Sequence, residues 1–145
     1  MAEPDVVVAK VAALERSLTR IEEVTAGRAS YPRPLDAEEL IVLHLQRAAQ
    51  AAIDLAGHVV ATEGFGLPAT LAETFTLLEQ NGIVDPALAV NLRRMVGFRN
   101  IAVHQYETIA PAVVEAIVAR HLQDLRQFAD LILQRFGLNP PPTPR

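Results

Sequence analysis

Residues 85–106 read DPALAVNLRRMVGFRNIAVHQY. Asp85 followed by Pro86 suits the cap and first position of a helix. Leu88, Leu92, Met95 and Ala102 then recur at helical spacing. The pattern predicts a helix that ends near His104, just before Glu107. Arg99, Asn100, His104 and Tyr106 therefore gather at one helix end. Asn100 and His104 are four apart and share a face. Arg99 and Tyr106, seven apart, share a face if the helix continues. His104 lies roughly 140° round from Arg99 on an ideal helix. The four groups cluster without forming one stripe, and a second copy of the segment can complete a compact site.

Outward from this stretch, the rest of the chain also reads as helix. Val7, Val11, Leu14, Leu18 and Ile21 put one apolar face on a first helix from about Asp5 to Ala26. Gly27 is a plausible stop, and Tyr31-Pro-Arg-Pro34 interrupts any helix. Asp36 with Glu39 reads as a capping box opening a second helix to about Ala61. Ile41, Leu45, Ala48, Ala52, Leu55 and Val59 form its stripe. Gly64-Phe-Gly66-Leu-Pro68 is a loop without the Lys-Ser/Thr of a phosphate-binding P-loop. Thr70 and Glu73 form a second capping box, opening a short helix that ends at Asn81-Gly82. After the fourth helix, Val114, Ile117, His121, Leu125, Phe128 and Ile132 predict a single fifth helix from Pro111, closed by Gly137. No stretch alternates as a strand does. The expected fold is all-α: a five-helix up-and-down bundle over residues 1–138, with a Pro-rich flexible tail at 139–145. The long stripes of the first and fifth helices offer apolar surface for a dimer.

Composition narrows the function. The chain has 145 residues, of which 50% are apolar and 21% charged, enough for one buried core. It has no cysteine, so disulfides and thiolate metal sites are excluded. No apolar run reaches the roughly 18 residues of a membrane span, and the first residues lack the pattern of a secretory signal. The expected location is the cytoplasm. A net charge of −4 argues against nonspecific coating of nucleic acid. Local charge differs: residues 86–106 hold Arg93, Arg94 and Arg99 and no acidic residue. Arg93 and Arg94 are candidates to contact RNA, or are simply solvated.

The residue types at the fourth helix end suit phosphodiester chemistry. Histidine titrates near neutrality and serves as general base or acid. Arginine offers a planar fork of donors for phosphate. Asn100 can orient the imidazole or donate to an oxyanion. The Tyr106 hydroxyl can bond phosphate, act as an acid or be modified. Together they suit attack of an RNA 2′-hydroxyl on the adjacent phosphate, with arginine stabilising the developing charge. No acidic cluster accompanies the segment, so no metal or cofactor is implied. The plainer alternative is a structural helix end, where cations complement the helix dipole.

Arg99-Asn100-x3-His104-x-Tyr106 resembles the Rx4-6HxY signature of the HEPN superfamily and matches each of its fixed positions. The wider sequence is similar to the HepT (DUF86) branch, through Asp54-Leu-Ala-Gly57-His58, Gly66-Leu-Pro68, Glu73-Thr-Phe75 and Met95-Val-Gly-Phe-Arg-Asn100. The likeness spans roughly residues 5–136. It implies an all-helical homodimer whose two signature segments face each other across a cleft. It also implies the toxin of a toxin–antitoxin pair, acting as a metal-independent endoribonuclease on RNA. The implied partner is a minimal nucleotidyltransferase antitoxin. Arg99 and His104 are then the catalytic pair, Asn100 the polar helper, and Tyr106 the tyrosine that the partner adenylylates. Phosphate added there repels RNA from the cleft. A non-catalytic dimeric module that binds RNA or the nucleotidyltransferase is the alternative, and a purely structural adaptor a third.

The other histidines read as packed or interface residues. His44 and His58 share a helix face but lie roughly 21 Å apart, too far for one metal. His58 has the spacing of a structural pair with Asp54. His121 falls within an apolar stripe.

Overall fold

A computed structural model describes residues 2–26 and 34–141. Val7, Val11, Leu14, Leu18 and Ile21 are all buried along one face of α1 (Pro4–Ala26). That face packs on α2 (Leu35–Glu63), the long central helix. The two run antiparallel: Lys10 pairs with Asp54 at 3.4 Å, and the Glu3 amide donates to His58 Nε2 at 3.0 Å. The stripe from Ile41 to Val59 is buried as expected. α2 also buries Val42, Ala49, Ile53, Ala56 and Val60, so it is covered on more than one side. Its alanines let neighbouring backbones approach closely.

The remaining elements wrap α2. They are α3 (Leu71–Gln80), α4 (Pro86–His104), a 3₁₀ turn (Tyr106–Thr108), α5 (Pro111–Arg120) and α6 (Leu122–Arg135). Phe75 of α3 meets Phe128 of α6 edge-on, with ring centroids 5.5 Å apart at 72°. Edge-to-face contact aligns the positive ring edge with the negative face of its neighbour. Both rings are fully buried beside Leu78, Leu92 and Leu125.

Three local expectations need correction or refinement. First, the described residues form six α-helices rather than five, because the predicted fifth helix breaks at His121. His121 donates its amide to the Ile117 carbonyl and accepts from the Asp124 amide, ending one helix while starting the next. The break interrupts the helix at a single residue, so the apolar stripe runs through it and the sequence pattern hides it. Second, Asp36 and Glu39 do not cap α2. That helix starts at Leu35 after Pro34, with no side-chain cap. Asp36 lies within the first turn, where its charge complements the helix dipole. Third, the box at α3 is shifted: the Thr70 hydroxyl accepts from the Glu73 amide at 3.1 Å, but Glu73 accepts from Ala69 instead of Thr70.

The stops follow local chemistry. Gly64 ends α2 at φ +70, the left-handed region that favours glycine, and its amide bonds the Val60 carbonyl. Gly137, at φ +63, follows α6. The expected stop at Gly27, the Tyr31 loop and residues 142–145 of the tail lie outside the described residues. None of the helices described is long and apolar enough to cross a membrane.

Candidate active site at the end of helix α4

α4 is fixed at both ends of its path to the site. Asp85 caps it by accepting from the Leu88 amide at 2.8 Å, with Pro86 in its first turn. Leu88, Leu92, Met95, Phe98 and Ala102 are buried against the core. The opposite side of the last two turns carries Asn100, His104 and the apolar Ile101 and Val103, all exposed. The buried stripe therefore decides which groups face outward.

Arg99 is partly buried. Its Nη1 donates to Asn100 Oδ1 at 3.0 Å, while its Nε is buried without a hydrogen-bond partner. A buried donor without an acceptor costs free energy, which sets this guanidinium apart from the ion-paired Arg93 and Arg126. The amide of Asn100 engages the arginine, not the imidazole. The imidazole of His104, exposed at the helix terminus, makes no hydrogen bond with the described residues.

Tyr106 does not share the helical register of Arg99. Gln105 departs from helical geometry at φ −142 and ψ 44, and Tyr106 starts the 3₁₀ turn. The phenol thereby comes within electrostatic reach of Glu39 and Glu38 on α2. Burial, then Glu39 and Glu38, raises its pKa above the usual 10.0, so it stays protonated at neutral pH.

The two neighbouring arginines differ. Arg93 donates to Glu79 at 3.0 Å and to Thr76 at 3.4 Å, tying α4 to α3. Arg94 is exposed and has no ion pair among the described residues. It stands at the rim of a groove of about 720 Å³ between α4 and α5. Phe98, Ile101, Ile109, Val113 and Ile117 give that groove apolar walls. This feature was missed from sequence, although Ile101 and Val113 signal it by lying off the core stripes.

The other histidines do structural work. His58 accepts from the Glu3 amide, and Asp54 bonds Lys10 and Gln50, so no Asp54–His58 pair forms. His121 Nδ1 lies 2.8 Å from Asp124 at the junction of α5 and α6. His44 is partly buried, with an unpartnered Nδ1; burial, then Arg47 and Arg20, lowers its pKa. Among the described residues, no group of three or more acidic or histidine side chains is placed to hold a metal.

Known proteins are similar to this chain in sequence and fold. A family model described as Ribonuclease HepT-like matches residues 14–132. The mRNA nuclease HepT of Shewanella oneidensis is 36% identical over 88% of this chain and 96% of its own length. The tRNA nuclease HepT of Aphanizomenon flos-aquae is 35% identical over 54% of each chain. A tri-AMPylated HEPN toxin of Shewanella oneidensis, solved in complex with MNT antitoxin, superposes with a TM-score of 0.85. It is 35% identical, with 91% of this chain and 99% of that chain covered. A family match over residues 14–132, with a 36% identical relative aligned over 88% of the chain, places this protein in the HepT-like ribonuclease family.

Proposed function

We propose that this protein is the toxin of a toxin–antitoxin pair, acting in the cytoplasm as a metal-independent endoribonuclease. One observation carries the reading: Arg99, with an unsatisfied buried donor, sits on the same helix end as an unengaged His104. His104 takes the proton of an RNA 2′-hydroxyl. The freed oxygen attacks the adjacent phosphorus, the bond to the 5′-oxygen breaks, and that oxygen takes a proton from water, while His104 returns its own proton to solvent. Arg99 stabilises the charge that builds on the phosphate oxygens. Asn100 holds the guanidinium in orientation. Arg94, rather than the engaged Arg93, is available to flanking phosphates.

The active form in this reading is a homodimer with the two signatures facing across a cleft. Exposed Ile101 and Val103 beside the polar groups, and the apolar groove next to them, favour a second copy there. A cognate minimal nucleotidyltransferase adenylylates Tyr106 and so closes the cleft to RNA. The relatives named as nucleases and the AMPylated toxin structure support both halves of this account.

Regulated expression in a bacterial host tests it. The wild type arrests growth and His104→Ala does not, while co-expression with the nucleotidyltransferase restores growth and adds adenylyl mass at Tyr106. Arrest by a folded His104→Ala variant would remove His104 from the mechanism. Harmless wild type that still binds RNA would favour the non-catalytic module.

A further inference from the structure

Tyr106 is held differently from the rest of the site. The residue is 43% exposed, and its hydroxyl makes no hydrogen bond with the described residues. Its presentation therefore depends on the backbone around it. That backbone has left α4, since Gln105 is no longer helical. A single 3₁₀ turn follows, an element too short to be stable by itself.

One side chain closes that turn. The Gln105 carbonyl accepts twice from Thr108, from its amide at 2.9 Å and from its hydroxyl at 2.8 Å. The Ile109 amide reaches the Tyr106 carbonyl at 3.2 Å, and partly buried Ile109 packs on the core. Tyr106 and Glu107 ride between these anchors, both exposed. Removing the Thr108 hydroxyl leaves a single amide bond to the Gln105 carbonyl.

We propose that Thr108 is a positioning residue for modification of Tyr106: its hydroxyl holds the 3₁₀ turn in the form that presents the phenol oxygen to a nucleotidyl donor. The role rests on the reading of Tyr106 as acceptor. In that step the phenol oxygen attacks the α-phosphorus of a nucleoside triphosphate supplied with the partner enzyme. The oxygen–phosphorus bond forms, the bond to pyrophosphate breaks, and the phenol proton passes to a base of the partner. The proton is present to be lost, because the phenol is neutral at working pH. A net hydrogen bond is worth a factor of roughly 5 in an equilibrium, which sets the upper bound on how much of the reactive turn, and so of the rate, its loss removes.

The test uses the full chain, its cognate nucleotidyltransferase and ATP, with adenylylation followed by intact mass. Wild type, Thr108→Val, Thr108→Ser and Tyr106→Phe are compared at saturating partner and nucleotide. Thr108→Val is expected to slow modification by up to about 5-fold, and Thr108→Ser, which keeps the hydroxyl, to restore it. Thr108→Ala serves as a second hydroxyl-free variant should the valine disturb folding. Hydrogen exchange at the Ile109 amide should quicken in both, with thermal unfolding unchanged. Modification of both hydroxyl-free variants at the wild-type rate would overturn the role, as would a serine variant as slow as valine. A wild type that is not modified at Tyr106 would overturn the acceptor reading and this role with it.

Discussion

The α1–α2 pair and the segment from Arg99 to Ile109 are stabilised by opposite means. In the pair, apolar side chains from both helices interlock over many turns, and the polar groups Lys10, Asp54 and Gln50 bond one another at the edge. In the segment, Asn100, His104 and Tyr106 are exposed, Arg99 is only partly buried, and few polar contacts hold them: one arginine–asparagine bond and a turn closed by a threonine. Packing gives the first region redundancy, since each residue has many neighbours. The second has little, which leaves its groups free to meet a ligand. Substitutions should therefore act on stability in one region and on chemistry in the other.

The largest expected effect lies in the thinly held region. His104→Ala should lower RNA cleavage by about 10²–10⁴-fold, the usual contribution of general acid–base catalysis. Its thermal unfolding should match wild type, because the ring is exposed and unbonded. A large stability loss would break the contrast. In the core, Phe128→Ala should cost about 3–5 kcal/mol in denaturant unfolding, since it empties a fully buried site against Phe75. An unchanged midpoint would deny that this contact matters. Asp85→Ala should cost about 1 kcal/mol by removing the α4 cap. It tests the link between the regions, because α4 belongs to both.

The smallest effect is a pH dependence. The native protein favours neutral His44, whose pKa burial and the nearby Arg47 and Arg20 hold below the usual 6.5. Between that lowered value and 6.5, the unfolded chain binds more protons than the native one. Stability is then complete above 6.5 and declines as pH falls through the window. His44→Gln should flatten this decline in thermal unfolding measured across the range. A decline of the same size in the variant would assign it to other groups.

The same contrast explains what could be read from sequence. Burial is written into apolar spacing, so the stripes of α1, α2 and α4 and the caps Thr70 and Asp85 were legible. The motif also located Arg99, Asn100, His104 and Tyr106 at the end of α4. What escaped was local geometry. The His121 break keeps the apolar pattern intact on either side, so periodicity does not register it. Helical spacing left Asn100 to orient His104 or to donate to an oxyanion, whereas in the fold its side-chain oxygen accepts from its neighbour Arg99. The register of Tyr106 depends on Gln105 leaving the helix, which no residue type there announces. The box expected at Asp36 failed because Pro34 takes the cap position two residues earlier, so that Asp36 already lies inside the first turn.

RNA cleavage by purified, unmodified protein in excess chelator, beside His104→Ala, tests the central claim most directly. Cleavage by the wild type alone, leaving 2′,3′-cyclic phosphate ends, is the expected result. Cleavage that vanishes with the chelator, or persists in a folded His104→Ala variant, would contradict metal-independent chemistry at the end of α4.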